Sequence, residues 1–212
     1  QSCSQMSRKL QLKRPLVFID LETTGTNIGT DRIVEIALLK VQPNGNRESK
    51  TMRINPTVPI PVESSRIHGI YDADIQDCPT FQDVARDLQA LIGNADLAGY
   101  NSNKFDIPLL IEEFTRSGIH FEIADRKLID VQNIFHKMEQ RTLSAAYKFY
   151  CGKDLLNAHS AEADTFATCE VLEAQLERYD SLQTDVDWLA QFSSMNKNVD
   201  LAGRIVYNEK GD

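Results

Sequence analysis

In "LVFIDLETTG" (Leu16–Gly25) an apolar run ends in two carboxylates, Asp20 and Glu22. Successive side chains of a strand point to opposite faces, so this pair shares a face roughly 7 Å apart. Like charges that near raise each other's pKa unless a proton or a cation lies between them. A second acid, Asp106, stands at the entrance of an amphipathic segment in "GYNSNKFDIPLL" (Gly99–Leu110), where an aspartate commonly serves as a helix N-cap. A third segment, "AHSAEADTFATCEVL" (Ala158–Leu172), sets Asp164 one turn inside a helix among alanines and a phenylalanine, a poor place for an unpaired charge. His159 precedes it by five residues, where the chain could turn it toward the same place. Singly, these residues also read as a solvated strand end, an N-cap, an exposed helix position and a structural histidine. Together they ask what neutralises the acids, a proton or a cation.

The elements that must position them follow from hydrophobic periodicity. Leu16–Leu21 is apolar on both faces and reads as a central strand. Ile33–Val41 is a second strand, "QPNGNRE" (Gln42–Glu48) carries an Asn-Gly hairpin signal, and Ser49–Ile54 is a third. Pro56, Pro59 and Pro61 force a loop. A helix over Thr80–Gly93 is expected, with Thr80 as N-cap and Gly93 as its stop. There follow a short strand at Ala95–Asn101, a helix at Asp106–Gly118, a strand at Lys127–Val131 and a helical stretch near Gln132–Lys137. Thr142 begins and Gly152 ends another helix. The longest, Ser160–Tyr179, is expected to show an apolar stripe at Leu172 and Leu176. A meander followed by strand–helix units implies an α/β fold, a mixed sheet carrying helices. Trp188, Leu189 and Phe192 suit one more helical turn packed on the core, and Val199–Asp212 reads as a strand and turn at which a longer protein is cut.

The 212-residue chain suits one α/β domain with a small appendage. Its acidic excess, 31 against 23, gives a formal net charge of −8, which argues against binding nucleic acid through a broad basic surface. An enzyme that meets phosphate through bound metal ions remains compatible, because the cations supply the positive charge. Cys3, Cys78, Cys151 and Cys169 are far apart and form no Cys-x-x-Cys pair, so reduced thiols in the cytoplasm are the simplest reading. No stretch approaches the roughly 20 apolar residues of a membrane span. The opening QSCSQMSRKL lacks a signal-peptide core.

In order, "FIDLETTG", "NSNKFD" and "HSAEAD" resemble the three motifs of the DEDD superfamily of 3′–5′ exonucleases, in its histidine-containing branch. That branch includes the proofreading subunit of the bacterial replicative polymerase. "IHGI" (Ile67–Ile70) followed by "CPTF" (Cys78–Phe81) is similar to a segment such proteins carry between the first two motifs. The resemblance spans about Pro15 to Arg178 and implies a ribonuclease H-like fold: a five-stranded mixed sheet, three antiparallel strands plus parallel ones, flanked by helices. It sets an exonuclease domain at 15–180 and a tail at 181–212. The second motif departs from the family pattern, reading Gly99-Tyr100-Asn101 where many relatives read Gly-His-Asn, with one extra residue before Phe105-Asp106.

The resemblance further implies two Mg²⁺ ions, with Mn²⁺ able to substitute. Asp20 would bridge them, Glu22 and Asp164 would hold the nucleophile-side ion, and Asp106 would assist the other. His159 would be the general base. Thr23, Thr24 and Gly25 would lie under the terminal nucleotide or form a plain turn, and His68 would touch substrate or pack its loop. Asp130, in "LIDV", corresponds to a structural aspartate. The implied substrate is a single-stranded nucleic-acid 3′ end, DNA favoured over RNA, with a DNA polymerase as a possible partner and no membrane. Two other readings stand beside this one. An exonuclease-like binding subunit of a polymerase complex is the first. The second is a haloacid-dehalogenase-type phosphatase with Asp20 as nucleophile, against which Glu22 and the His159/Asp164 motif both speak.

Overall fold

The computed structural model describes residues 9–194. The strand and turn expected over 199–212, with Cys3, lie outside them. The chain divides into two compact units, Gln1–Met138 and Glu139–Asp212. The division falls inside the expected 15–180 domain.

The first unit is built on a five-stranded sheet. Its strands are β1 (Leu16–Thr23), β2 (Ile33–Val41), β3 (Arg47–Arg53), β4 (Asp96–Gly99) and β5 (Leu128–Asp130), in the order β3-β2-β1-β4-β5. β1, β2 and β3 pair antiparallel, whereas β4 and β5 run parallel to β1, giving the expected mixed sheet with β1 at its centre. The β2–β3 hairpin closes with Gly45 at φ 88°, and Gln42 and Asn46 pair across it at 2.8 Å. Glycine reaches that conformation without the Cβ clash other residues meet.

Alternation along β1 separates core from site. Val17, Ile19 and Leu21 point into one cluster with Ile36 and Leu38 of β2. Helices α3 (Phe81–Ile92) and α4 (Asp106–Arg116) close over that face through Phe81, Leu88, Ile107 and Phe114. Phe114 meets Phe81 edge-on at 5.1 Å and stacks on Phe121 at 4.7 Å. Asp20 and Glu22 therefore stand on the opposite face. α3 begins with a reciprocal capping box between Thr80 and Asp83 and ends at Gly93, as the sequence indicates. Helix α5 (Val131–Met138) follows β5 directly. Two short helices, α1 (Val62–His68) and α2 (Asp72–Ile75), occupy the stretch read only as loop. α1 has Pro61 at its N-cap and no side-chain cap, so the usual start signal is missing.

The second unit contains α6 (Leu143–Cys151), α7 (Ala161–Arg178) and α8 (Val186–Phe192). Thr142 caps α6 and Gly152 ends it in the left-handed conformation. The α6–α7 pair is tied by hydrogen bonds from Tyr147 and Lys153 to Glu170. The buried residues of α7 are Ala167 and Val171; of the expected stripe Leu176 is half-buried and Leu172 is exposed. Trp188 and Phe192 stack at 4.7 Å within α8. Among the described residues no helix is long and apolar enough to cross a membrane.

Candidate active site

Asp20 is exposed and Glu22 half-buried at the tip of β1. Antiparallel pairing puts Glu35 of β2 directly opposite Glu22. Burial first, then the charge of Asp20, raises the Glu22 carboxyl above the ordinary range; Glu35 adds to this and His68 opposes it. Asp106 belongs to the same field. Its carboxyl is buried and pushed up to about 7, chiefly by burial and next by Asp20, with smaller contributions from Asp130 and Glu22. The opposing influence is a hydrogen bond donated by the Leu21 backbone N–H. Asp106 is the first helical residue of α4, with Phe105 at the N-cap and no side-chain cap. Its side chain thus reaches to β1 rather than capping its own helix.

The loop before Asp106 is held from beneath. The buried Asp130 accepts hydrogen bonds from the N–H groups of Asn101 (3.0 Å), Asn103 (3.2 Å) and Gln132 (3.0 Å). This clamp fixes Asn101 at φ 59° and gives Asp130 a structural job. At Gly99 a Cβ would meet the Ser102 Cβ at 2.6 Å and the Ile19 carbonyl at 3.1 Å, so only glycine allows the loop to turn so close to β1. Tyr100 is exposed.

The Thr23–Gly25 segment is knitted into its surroundings. The buried Thr24 hydroxyl donates to Asp31 Oδ1 at 2.9 Å and accepts from the Arg32 N–H at 3.0 Å. The Thr23 hydroxyl donates to the Gly25 carbonyl at 2.6 Å. From α1, Ser64 Oγ donates to the Thr24 carbonyl at 2.6 Å. His68 Nδ1 accepts the Ile70 N–H at 3.1 Å, which leaves Nε2–H to donate to the Thr23 carbonyl, also at 3.1 Å. The ring thus braces the loop through both of its nitrogens. Asp31, Ser64 and the Glu113–Arg116 pair are site supports that sequence reasoning missed. Arg116 in the last turn of α4 has the look of a residue that merely suits the helix dipole.

His159 and Asp164 belong to the second unit. His159 is exposed at φ 73° just ahead of α7, an uncommon conformation for a non-glycine residue. Asp164 lies in the first turn of α7, and its Oδ1 is shielded from solvent with no hydrogen-bond partner. A carboxylate oxygen in that state calls for a proton or a cation. The structure thus brings Asp20, Glu22 and Asp106 into one electrostatic group in the first unit and sets His159 and Asp164 five residues apart in the second. Among the described residues no three His, Cys, Asp or Glu side chains are gathered as a ready metal site. The donors nonetheless fit a hard divalent cation: all are carboxylates, two carry raised pKa values and one has an orphaned oxygen.

A mixed sheet of this order, with acids at the tip of its central strand, defines a ribonuclease H-like α/β protein. The exonuclease (RNase_T) family profile matches residues 17–172, and the chain belongs to that family, in keeping with the DEDD resemblance of its motifs. The chain is 31% identical over 145 residues to DNA polymerase III subunit epsilon of Buchnera aphidicola subsp. Schizaphis graminum, covering 65% of this chain and 58% of that one. It is 24% identical over 200 residues to the PolC-type DNA polymerase III of Caldanaerobacter subterraneus subsp. tengcongensis, covering 93% and 14%. To the 3′–5′ exonuclease DinG of Staphylococcus epidermidis it is 25% identical over 187 residues, covering 86% and 20%. The chain therefore spans little more than half of one of these relatives and a fifth or less of the other two. E. coli exonuclease I bound to a dT13 oligonucleotide shares the fold, with a TM-score of 0.54, 19% identity and coverage of 88% and 45%.

Proposed function

We propose that the chain is a 3′–5′ exonuclease domain that hydrolyses phosphodiester bonds at the 3′ end of single-stranded nucleic acid, DNA in preference to RNA. The observation that carries this reading is the buried Asp106 carboxyl, which lies in the field of Asp20 and Glu22 and is pushed up to about 7. Such a group is poised to exchange a proton for a metal ion. Asp20, Glu22, Asp106 and Asp164 would hold two Mg²⁺ ions, with Mn²⁺ able to substitute. When bound, divalent cations supply charge neutralisation of the phosphate and a lowered pKa for the attacking water. His159, exposed ahead of α7, would be the general base for the attacking water, a task an imidazole performs near neutral pH. Thr23, Thr24 and Gly25 offer the strand a rigid backbone platform, and His68 keeps it in place. The names of the relatives, polymerase III subunits and DinG among them, support DNA as substrate and a polymerase as partner. A cytoplasmic location belongs to the same reading.

The test is an assay on 3′-labelled single-stranded DNA and RNA, with Mg²⁺ or with EDTA. Nucleoside 5′-monophosphates should be released from the 3′ end only with metal. His159→Ala should lower the rate by about 10²–10⁴-fold while strand binding persists. Metal-independent cleavage, or release from the 5′ end, would contradict the reading.

A further inference from the structure

Two neighbouring rows cross the sheet on the face that carries Asp20 and Glu22. In the first, Asp20 lies opposite Ala37 of β2, and Ala37 opposite Thr51 of β3. That row is neutral beyond the aspartate. The second is charged throughout, with Glu22 directly opposite Glu35 and Glu35 directly opposite Arg53. Side chains paired this way across antiparallel strands bring their Cβ atoms to about 4.5–5.5 Å, and like charges so placed are destabilising. The charge of Glu35 reaches Glu22, adding to burial and to Asp20 and acting against His68.

The fold does not need a glutamate at position 35. Glu35 is half-buried, and its ion pair with Arg53 is long, 3.4 Å, with the two side chains 28% and 46% exposed. A pair of that kind contributes little to stability and does not offset the repulsion on the other side. Among the described residues Glu22 has no ion-pair partner of its own. The ladder also breaks at this point, since Val34 is an extra residue of β2 between the Glu22–Glu35 and Thr23–Ile33 pairs. Bulges commonly aim side chains beside functional sites. Here the repulsion stands at the strand tip that carries the site.

We propose that Glu35 is a positioning residue of the cation site inferred above, on which this role rests. It acts through Glu22, setting a like charge opposite it that a divalent cation relieves. Loading the site therefore removes a repulsion built into the metal-free fold, and the cation binds more tightly for it. Arg53 moderates the effect from the edge strand by partly neutralising Glu35.

Mn²⁺ alone is the probe, titrated into the intact protein without nucleic acid, and free Mn²⁺ is read by electron paramagnetic resonance. Glu35→Gln keeps the size and loses the charge, so affinity should fall by about five- to tenfold. Arg53→Gln should raise it by about two- to threefold at low salt, a gain that high salt removes. In the Glu35→Gln background Arg53→Gln should change nothing, because its effect runs through Glu35. Melts in EDTA separate this role from a structural one. Metal-free Glu35→Gln should melt at or above the wild-type temperature, since a like-charge pair is gone. Wild-type protein that binds no Mn²⁺ would end the cation site and this role together. Wild-type binding that Glu35→Gln leaves unchanged would overturn this role alone. So would a loss of affinity in Arg53→Gln, or a Glu35→Gln melt below wild type in EDTA, either of which would mark the row as a structural ion pair.

Discussion

The backbone N–H of Leu21, the residue between Asp20 and Glu22, faces the carboxylate of Asp106 and opposes the rise of its pKa. The parallel ladder from β4 ends at the Phe18–Ala98 pair, and three residues further along β1 Asp106 takes the place of a strand neighbour. The start of α4 thus sits beside the tip of β1. It also buries a carboxyl within the field of two others.

The pH dependence of stability follows from that burial. The Asp106 carboxyl is raised from 3.8 to about 7, so between those values the folded state binds a proton that the unfolded state has lost. Metal-free stability should accordingly be full below pH 4 on this account and fall as pH rises to about 7, by at most about 4 kcal/mol. Asp106→Asn should flatten that slope in EDTA and make the metal-free protein more stable than wild type at pH 8. Mg²⁺ should stabilise the wild type increasingly above pH 6 and the variant little. Thermal melts from pH 5 to 8, with EDTA or Mg²⁺, check all three outcomes.

Gly25 faces Asp31 across the loop after β1. A Cβ there would meet the Asp31 carboxylate at 2.5–2.8 Å. Asp31 cannot swing aside freely, because its oxygens hold the Thr24 hydroxyl at 2.9 Å and the Asn27 N–H at 2.8 Å. Gly25→Ala should therefore cost about 1–3 kcal/mol and lower nuclease activity. Asp31→Ala removes the obstructing group, so the double variant should lose less than the sum of the single losses. A double-mutant cycle on denaturation midpoints and on kcat/KM measures the coupling.

His68 gives a way to separate bracing from substrate contact. With Nδ1 accepting from Ile70 and Nε2 donating to Thr23, the ring has two fixed partners. His68→Ala should destabilise the protein by about 1–3 kcal/mol, the sum of two ordinary hydrogen bonds. The pH profile of kcat should keep its shape, and ¹⁵N NMR of the wild type should show the Nε2–H tautomer. A variant with unchanged stability and a raised KM would instead make His68 a strand contact.

Local signals were the legible ones. The apolar run at Leu16–Leu21, the Asn44-Gly45 turn, the Thr80 and Thr142 caps and the Gly93 and Gly152 stops each act within a few residues, and the elements they mark are present. The two short helices at Val62–His68 and Asp72–Ile75 were not legible, since they take their stability from a small cluster of Val34, Ile60, Ile70 and Ile75 brought together by the fold. The acids at Asp20, Glu22 and Asp106 could be named from their neighbours. That Asp106 would face β1 instead of capping α4 depends on where the β4 ladder stops, which no window of sequence contains. The supports of the Thr23–Gly25 loop come from positions as distant as Arg116, and nothing in the local pattern of α4 sets that residue apart.

Glu113 closes the far end of the same helix. It is buried, accepts the Ile33 N–H at 3.2 Å and pairs with Arg116, which in turn holds the carbonyls of Gly29 and Asp31. α4 thus grips the chain leaving β1 and the chain entering β2 at once, with Asp106 at one end and this pair at the other. Removing one partner leaves the other charge uncompensated, so Glu113→Ala should destabilise by about 3–5 kcal/mol. Glu113→Gln keeps an acceptor for Ile33 but not the charge, so its loss should fall well below that of Glu113→Ala. Arg116→Lys keeps the charge but not the planar fork that spans two carbonyls, so it should retain most of the stability and lose loop order. Amide hydrogen exchange over residues 24–32 should quicken in Arg116→Lys while the N–H groups of β2 beyond Val34 stay protected. Unchanged exchange in that loop would show that α4 supports the core alone, and the positioning role assigned to its last turn would fall.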